Sequence, residues 1–133
     1  MTVQSCVTIR NEWDIVAARQ MGRNVAKDLG FGTVDQARIT TAISELARNI
    51  YLYAGAGSIC IEEINEYGKI GVRVIASDEG PGIADVRLVM EDGYSTSGGL
   101  GAGLPGVKRL MDTFQIDSTV GSGTRIDAVK WVR

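Results

Sequence analysis

Apolar and polar positions recur along this chain with two periods, and the switches between them mark its elements. From Val3 to Ile9 the period is two, with Val3, Val7 and Ile9 on one face, which predicts a strand. Asn11 stands where a helix cap is expected, and Ile15, Ala18, Gly22, Val25 and Leu29 then recur at three and four as one helical stripe. Gly30 and Gly32 end that helix. Thr33 followed by Gln36 has the form of a capping box, so a second helix is predicted to start there. Its stripe is Ile39, Ile43, Leu46, Ile50 and Tyr53, and it is predicted to stop at Gly55 to Gly57.

Ser58 to Ile64 and Lys69 to Ala76 read as strands joined through the turn Asn65-Glu-Tyr-Gly68, a hairpin. Asp78 to Gly82 reads as a loop, Ile83 to Met90 as a short helix, and Gly93 to Gly103 as a long glycine- and serine-rich loop. Leu104 to Asp112 is a predicted helix with Pro105 tolerated in its first turn. Thr113 to Val120 and Thr124 to Val132 form a second predicted hairpin around Gly121-Ser-Gly123. The order β-α-α-β-β-α-α-β-β lacks the regular alternation of a doubly wound fold. It predicts an α/β protein of the α+β two-layer kind, with a mixed, mainly antiparallel sheet and helices on one face.

A chain of 133 residues, 44% of them hydrophobic, is expected to be a single domain spanning residues 1–133 with one core. The net charge of −2 gives no electrostatic footprint for nucleic acid. No apolar run approaches the roughly 18 residues of a membrane span, and no export signal is evident, so a cytoplasmic protein without membrane contact is expected. Cys6 and Cys60 lie in predicted strands without metal-ligand spacing, and are expected as free buried thiols. The absence of histidine excludes histidine-based triads, histidine-ligated zinc and an autophosphorylating histidine.

Three segments carry candidate chemistry. Glu45 and Asn49, at i and i+4, share a helix face at the edge of the apolar stripe. In isolation such a pair is a solvated helix face. In a nucleotide site the amide oxygen of Asn49 can ligate magnesium and Glu45 can accept a proton from an attacking hydroxyl. Asp78 follows an apolar strand, where a carboxylate can read an exocyclic amine, while Gly80 and Gly82 allow close backbone approach. Alone, this segment is an ordinary turn. The run Ser97-Gly98-Gly99-Leu100-Gly101-Ala102-Gly103-Leu104 leads straight into a helix, so its amides can face phosphate. It is not a Walker A sequence, because no Gly-Lys-Ser/Thr follows.

Taken together, these residues resemble the ATP-binding domain shared by gyrase, Hsp90, histidine kinases and MutL, the GHKL superfamily with its Bergerat fold. Glu45 to Asn49 looks like the N box, Asp78-x-Gly80-x-Gly82 like the G1 box, and Gly99 to Leu104 like the G2 box. Gly121-Ser-Gly-Thr124 looks like the final G-x-G-T element. The chain is expected to hold only this domain, as the small serine/threonine kinases of bacterial partner-switching systems do, and the resemblance to the stressosome switch kinases covers essentially all of it. The resemblance implies Mg-ATP as cofactor, with Glu45 as general base, Asn49 as magnesium ligand, and Asp78 reading adenine beside Thr124. Gly99 to Leu104 would fold over the phosphates. It further implies STAS-domain proteins as substrates and a PP2C-type phosphatase as a later partner, with homodimerisation left open. Two other readings stay open: an ATP-dependent anti-sigma factor acting mainly by sequestration, and a conformational ATPase of the gyrase or Hsp90 kind.

Two positions depart from the anti-sigma pattern. Tyr53 stands where those kinases often carry histidine, and Arg48 replaces a small or uncharged residue before Asn49. Separately, Arg19, Arg23 and Lys27 recur at i, i+4 and i+8 beside the first helical stripe. This basic ridge is either a solvated face or a docking surface for an acidic partner.

Overall fold

The computed structural model describes residues 4–91 and 103–133. Five strands form one sheet in the order β1-β2-β3-β5-β4, where β1 is Gln4–Ile9, β2 Gly57–Glu66, β3 Lys69–Asp78, β4 Thr113–Thr119 and β5 Gly123–Trp131. Every pair in it is antiparallel. The helices are α1 (Glu12–Leu29), α2 (Thr33–Asn49), α3 (Val86–Val89) and α4 (Gly103–Leu110). Ala18 and Ala26 of α1, Ile39, Ile43 and Leu46 of α2, and Val107 of α4 share one core with Ile9, Ile59, Ile61, Val72, Val74, Ile126 and Ala128 of the sheet. Ile75 and Val129 alternate with those strand residues and are buried outside that cluster. The expected two-layer arrangement is what forms.

Local chemistry explains the boundaries. Asn11 caps α1 in a full capping box with Asp14, and Gly30 closes the helix in the left-handed region at φ 96°. The β2–β3 hairpin turns on Tyr67 and Gly68, both with positive φ (53° and 78°), as a two-residue turn that follows the sheet's twist requires.

Four details differ from expectation. Thr33 is the first helical residue of α2 and not its cap: Gly32 occupies the cap position, and the Gln36 side chain turns back to the Phe31 carbonyl at 2.8 Å. After Asn49 the backbone widens into a π-helical turn, Ile50–Ala54. That extra residue per turn shifts the apolar stripe out of phase, so Ile50 is buried while Tyr53 is about half exposed. The helix expected over Ile83 to Met90 shortens to Val86–Val89, capped by the Asp85 side chain. Finally, Cys6 and Cys60 are neither free nor deeply buried. The β1–β2 register sets them opposite one another with Cα atoms 4.0 Å apart, and they form a disulfide on a face where Cys6 is exposed. Strand register, which a compartment argument does not consider, brings the two sulfurs together.

The candidate nucleotide site

One row of paired residues crosses the sheet at the carboxyl end of β3. Ile9 pairs with Gly57, Gly57 with Asp78, Asp78 with Thr124, and Thr124 with Ser118. Partners in a ladder share a face, so Asp78, Thr124 and Ser118 stand side by side on the helix side. Glycine flanks Asp78 on both neighbouring strands. A Cβ on Gly57 would lie 2.7 Å from Ile50 Cγ2 and 3.0 Å from Asp78 Cβ. One on Gly123, whose φ is 111°, would overlap the Asp78 carbonyl oxygen. Both absences let the strand ends close tightly around the aspartate.

Hydrogen bonds hold this row. Asp78 Oδ1 accepts from the Gly80 amide at 2.9 Å. Ser118 Oγ accepts from the Ile83 amide at 2.8 Å, lies 2.8 Å from Thr124 Oγ1, and donates to the Gly123 carbonyl at 3.1 Å. The Gly121 amide donates to the Pro81 carbonyl at 2.8 Å, tying the β4–β5 turn to the loop after β3.

Above the row lies a cavity of about 510 Å³, a size suited to a cofactor-sized ligand. Its floor is apolar: Leu46, Ile50, Ala76 and Ile126. Asp78 and Thr124 border it from the sheet, Asn49 and Tyr53 from α2 and its π turn. Pro81 to Asp85 with α3 form another wall, and Gly103 and Leu104 enter at the start of α4. An apolar slot with a few convergent polar groups suits a flat heterocycle carrying polar edges.

Asn49, Asp78, Gly82, Gly103, Leu104 and Thr124 all line this cavity. Glu45 lies one helical turn before Asn49 and is only 3% exposed, behind the described wall. Gly80 also stands behind it, against Ala54, where a Cβ would be 2.6 Å from the alanine methyl. Ser97, Gly98, Gly99, Leu100, Gly101 and Ala102 lie outside the described residues. Arg48 is exposed and is not among the cavity residues. Arg19, Arg23 and Lys27 are all exposed along α1, with no ion pair among the described residues. No helix among the described residues is long and apolar enough to cross a membrane.

Sequence reasoning missed Ser118. The signal was present: Phe114, Ile116 and Ser118 alternate on the inward face of β4, so a hydroxyl continues an apolar row. It also missed the Lys130 ammonium, buried at 4% exposure, which donates to the Leu110 carbonyl at the end of α4 at 2.7 Å. Asp35 and Asp112 lie 3.8 and 3.9 Å from the same nitrogen. Burial pushes the Asp112 carboxyl up, but the Trp131 amide, the Arg133 guanidinium and Lys130 together outweigh it and hold the group below its ordinary value.

The chain is similar to known proteins. Residues 34–131 match the family described as histidine kinase-, DNA gyrase B- and HSP90-like ATPases. Over all 133 residues, and over the whole of the relative, the chain is 73% identical to the serine/threonine-protein kinase RsbT of Bacillus subtilis. It is 33% identical to an anti-sigma F factor of Caldanaerobacter subterraneus across 72% of this chain and 70% of that protein. The fold is similar to that in the crystal structure of the RsbU and RsbW domains of a Mycobacterium tuberculosis protein. That likeness has a TM-score of 0.63 at 18% identity, and covers 98% of this chain and 32% of that one. A full-length match of this closeness, together with the family match over residues 34–131, leaves a single assignment: the chain belongs to the histidine kinase-, DNA gyrase B- and HSP90-like ATPase family, among its serine/threonine-protein kinases.

Proposed function

We propose that this protein is a Mg-ATP-dependent kinase that phosphorylates serine or threonine on STAS-domain proteins of a stressosome and, once released from them, activates a PP2C-type phosphatase. The observation that carries the reading is the convergence on one cavity of Asn49 from the helical layer and the Asp78–Thr124 pair from the sheet. The 73% identity to a protein named as a serine/threonine kinase supports the type of transfer.

The chemistry follows from the walls. The apolar floor takes the base, and Asp78 accepts a hydrogen bond from its exocyclic amine. Asn49 faces the phosphate side. A single amide oxygen beside phosphates and waters is a donor set that magnesium accepts, and the ion would offset phosphate charge there. Phosphoryl transfer then needs alignment more than covalent help. The acceptor hydroxyl oxygen forms the new bond to the γ-phosphorus, and the bridging oxygen leaves with ADP. By the resemblance, the hydroxyl proton would pass to the Glu45 carboxylate, one helical turn before Asn49 on α2. Gly99 to Leu104 would fold over the phosphates, as the resemblance implies. The basic ridge Arg19, Arg23 and Lys27 would meet acidic surface on the STAS protein or the phosphatase.

The test is incubation with labelled ATP and candidate STAS-domain proteins. Label on a serine or threonine supports the reading, and its absence from every candidate counts against it. Similarity to anti-sigma F factors supports a second reading, ATP-dependent sequestration of a sigma factor. Retention of a sigma factor on the immobilised protein without label transfer would favour it.

A further inference from the structure

We propose that Ser118 is a positioning residue that fixes the direction of the Thr124 hydroxyl, and that this direction makes the cavity accept adenine and refuse guanine. The proposal rests on the cavity being an ATP site. A serine hydroxyl has one proton to give and two lone pairs to receive with. Ser118 Oγ is within reach of three groups: the Ile83 amide at 2.8 Å, Thr124 Oγ1 at 2.8 Å and the Gly123 carbonyl at 3.1 Å. Only one arrangement uses all three contacts. The Ile83 amide and the Thr124 hydroxyl both donate to Ser118, and Ser118 donates to Gly123.

Thr124 thereby spends its proton away from the cavity and offers it only lone pairs. Asp78, its partner across β3 and β5, is likewise an acceptor. The polar edge of the slot therefore presents two acceptors side by side. An amino group, with two protons to give, satisfies both. A carbonyl oxygen at the same place meets lone pairs on both sides. A bridging water relieves this only in part: its two protons serve two of the three acceptors, Asp78, Thr124 and the carbonyl, and leave the third without a donor. Without Ser118, the Thr124 hydroxyl is free to rotate and give its proton to a guanine carbonyl. A merely structural serine, by contrast, would alter both nucleotides equally.

The experiment is calorimetric titration of ATP and of GTP into the full chain, with thermal unfolding as a control. Ser118→Ala is expected to weaken ATP, strengthen GTP, and reduce the ATP-over-GTP preference by about tenfold or more, the scale of one hydrogen bond made or mismatched. Ser118→Thr keeps the hydroxyl and restores the preference. Combined with Thr124→Val, Ser118→Ala adds no further loss, because it acts through that hydroxyl. Should Ser118→Ala not fold, Ser118→Cys, a poor acceptor, is read in its place. An unchanged preference, a loss not rescued by Ser118→Thr, or an additive loss in the double variant would each overturn the proposal while ATP binding by the wild type stands. A wild type that binds no ATP would overturn the functional reading, and this inference with it.

Discussion

Replacing Asp78 with asparagine separates the two oxygens of the carboxylate. Oδ1 already accepts from the Gly80 amide at 2.9 Å, so the asparagine oxygen keeps that bond and the loop after β3 stays in place. The new NH2 then takes the position of Oδ2, the oxygen that the Gly80 contact leaves for the cavity Asp78 lines. The reverse orientation would point two donors at each other across the Gly80 contact. The exocyclic amine of ATP would thus meet a donor where it had a charged acceptor. A hydrogen bond to a charged group contributes about 1.5–3 kcal/mol. At about 1.4 kcal/mol per tenfold, the ATP dissociation constant should rise on the order of 10- to 150-fold. GTP should bind more tightly, because a guanine carbonyl, which met a lone pair at Asp78, can accept from the new amide. Isothermal calorimetry with both nucleotides measures this, and circular dichroism confirms that the fold persists. An unchanged ATP affinity would remove Asp78 from base recognition. An equal loss for both nucleotides would mean the substitution had damaged the cavity as a whole.

Other outcomes follow from the same geometry. Glu45→Gln should still bind Mg-ATP and a STAS-domain partner but transfer phosphate about 10²–10⁴-fold more slowly, and a near-normal rate would demote Glu45 from general base. The double change Arg19→Glu and Arg23→Glu should weaken partner capture in a pull-down while sparing ATP affinity, since both side chains are exposed along α1. Normal capture would move the docking surface elsewhere. Asp112, held below its ordinary value of 3.8, adds stability that is fully present above that value and is lost as pH falls through its lowered folded-state value. Asp112→Asn should therefore lower the unfolding temperature at neutral pH and flatten its decline in acid, and a decline identical to wild type would exclude this contribution.

Much of the fold was legible because its signals are local. The Asn11 capping box, the left-handed Gly30 and the Tyr67-Gly68 turn each depend on residues within a few positions of one another. Asn49, Asp78 and Thr124, each picked out by a short motif, line one cavity. What was hidden is long-range or cumulative. The Cys6–Cys60 pairing needs the β1–β2 register, set by contacts across 54 residues of sequence. Tyr53 reached the cavity wall because the π turn changed the helical phase after Ile50, and periodicity alone assumes a constant phase. Ser118 is an unremarkable strand serine until β4, β5 and the loop after β3 are assembled around it.

The tight β2–β3 turn has a practical consequence. Tyr67 is fully exposed there, and β3 runs ten residues, Lys69–Asp78, from that turn to the nucleotide end of the sheet. At about 3.3 Å per residue this is a separation on the order of 30 Å. Because the side chain supports no core contact, a dye or a surface tether attached at position 67 would report on or hold the molecule without obstructing its cavity. Immobilisation through this tip leaves the nucleotide end facing solution, the orientation in which binding and release of a partner can be timed on a single captured molecule.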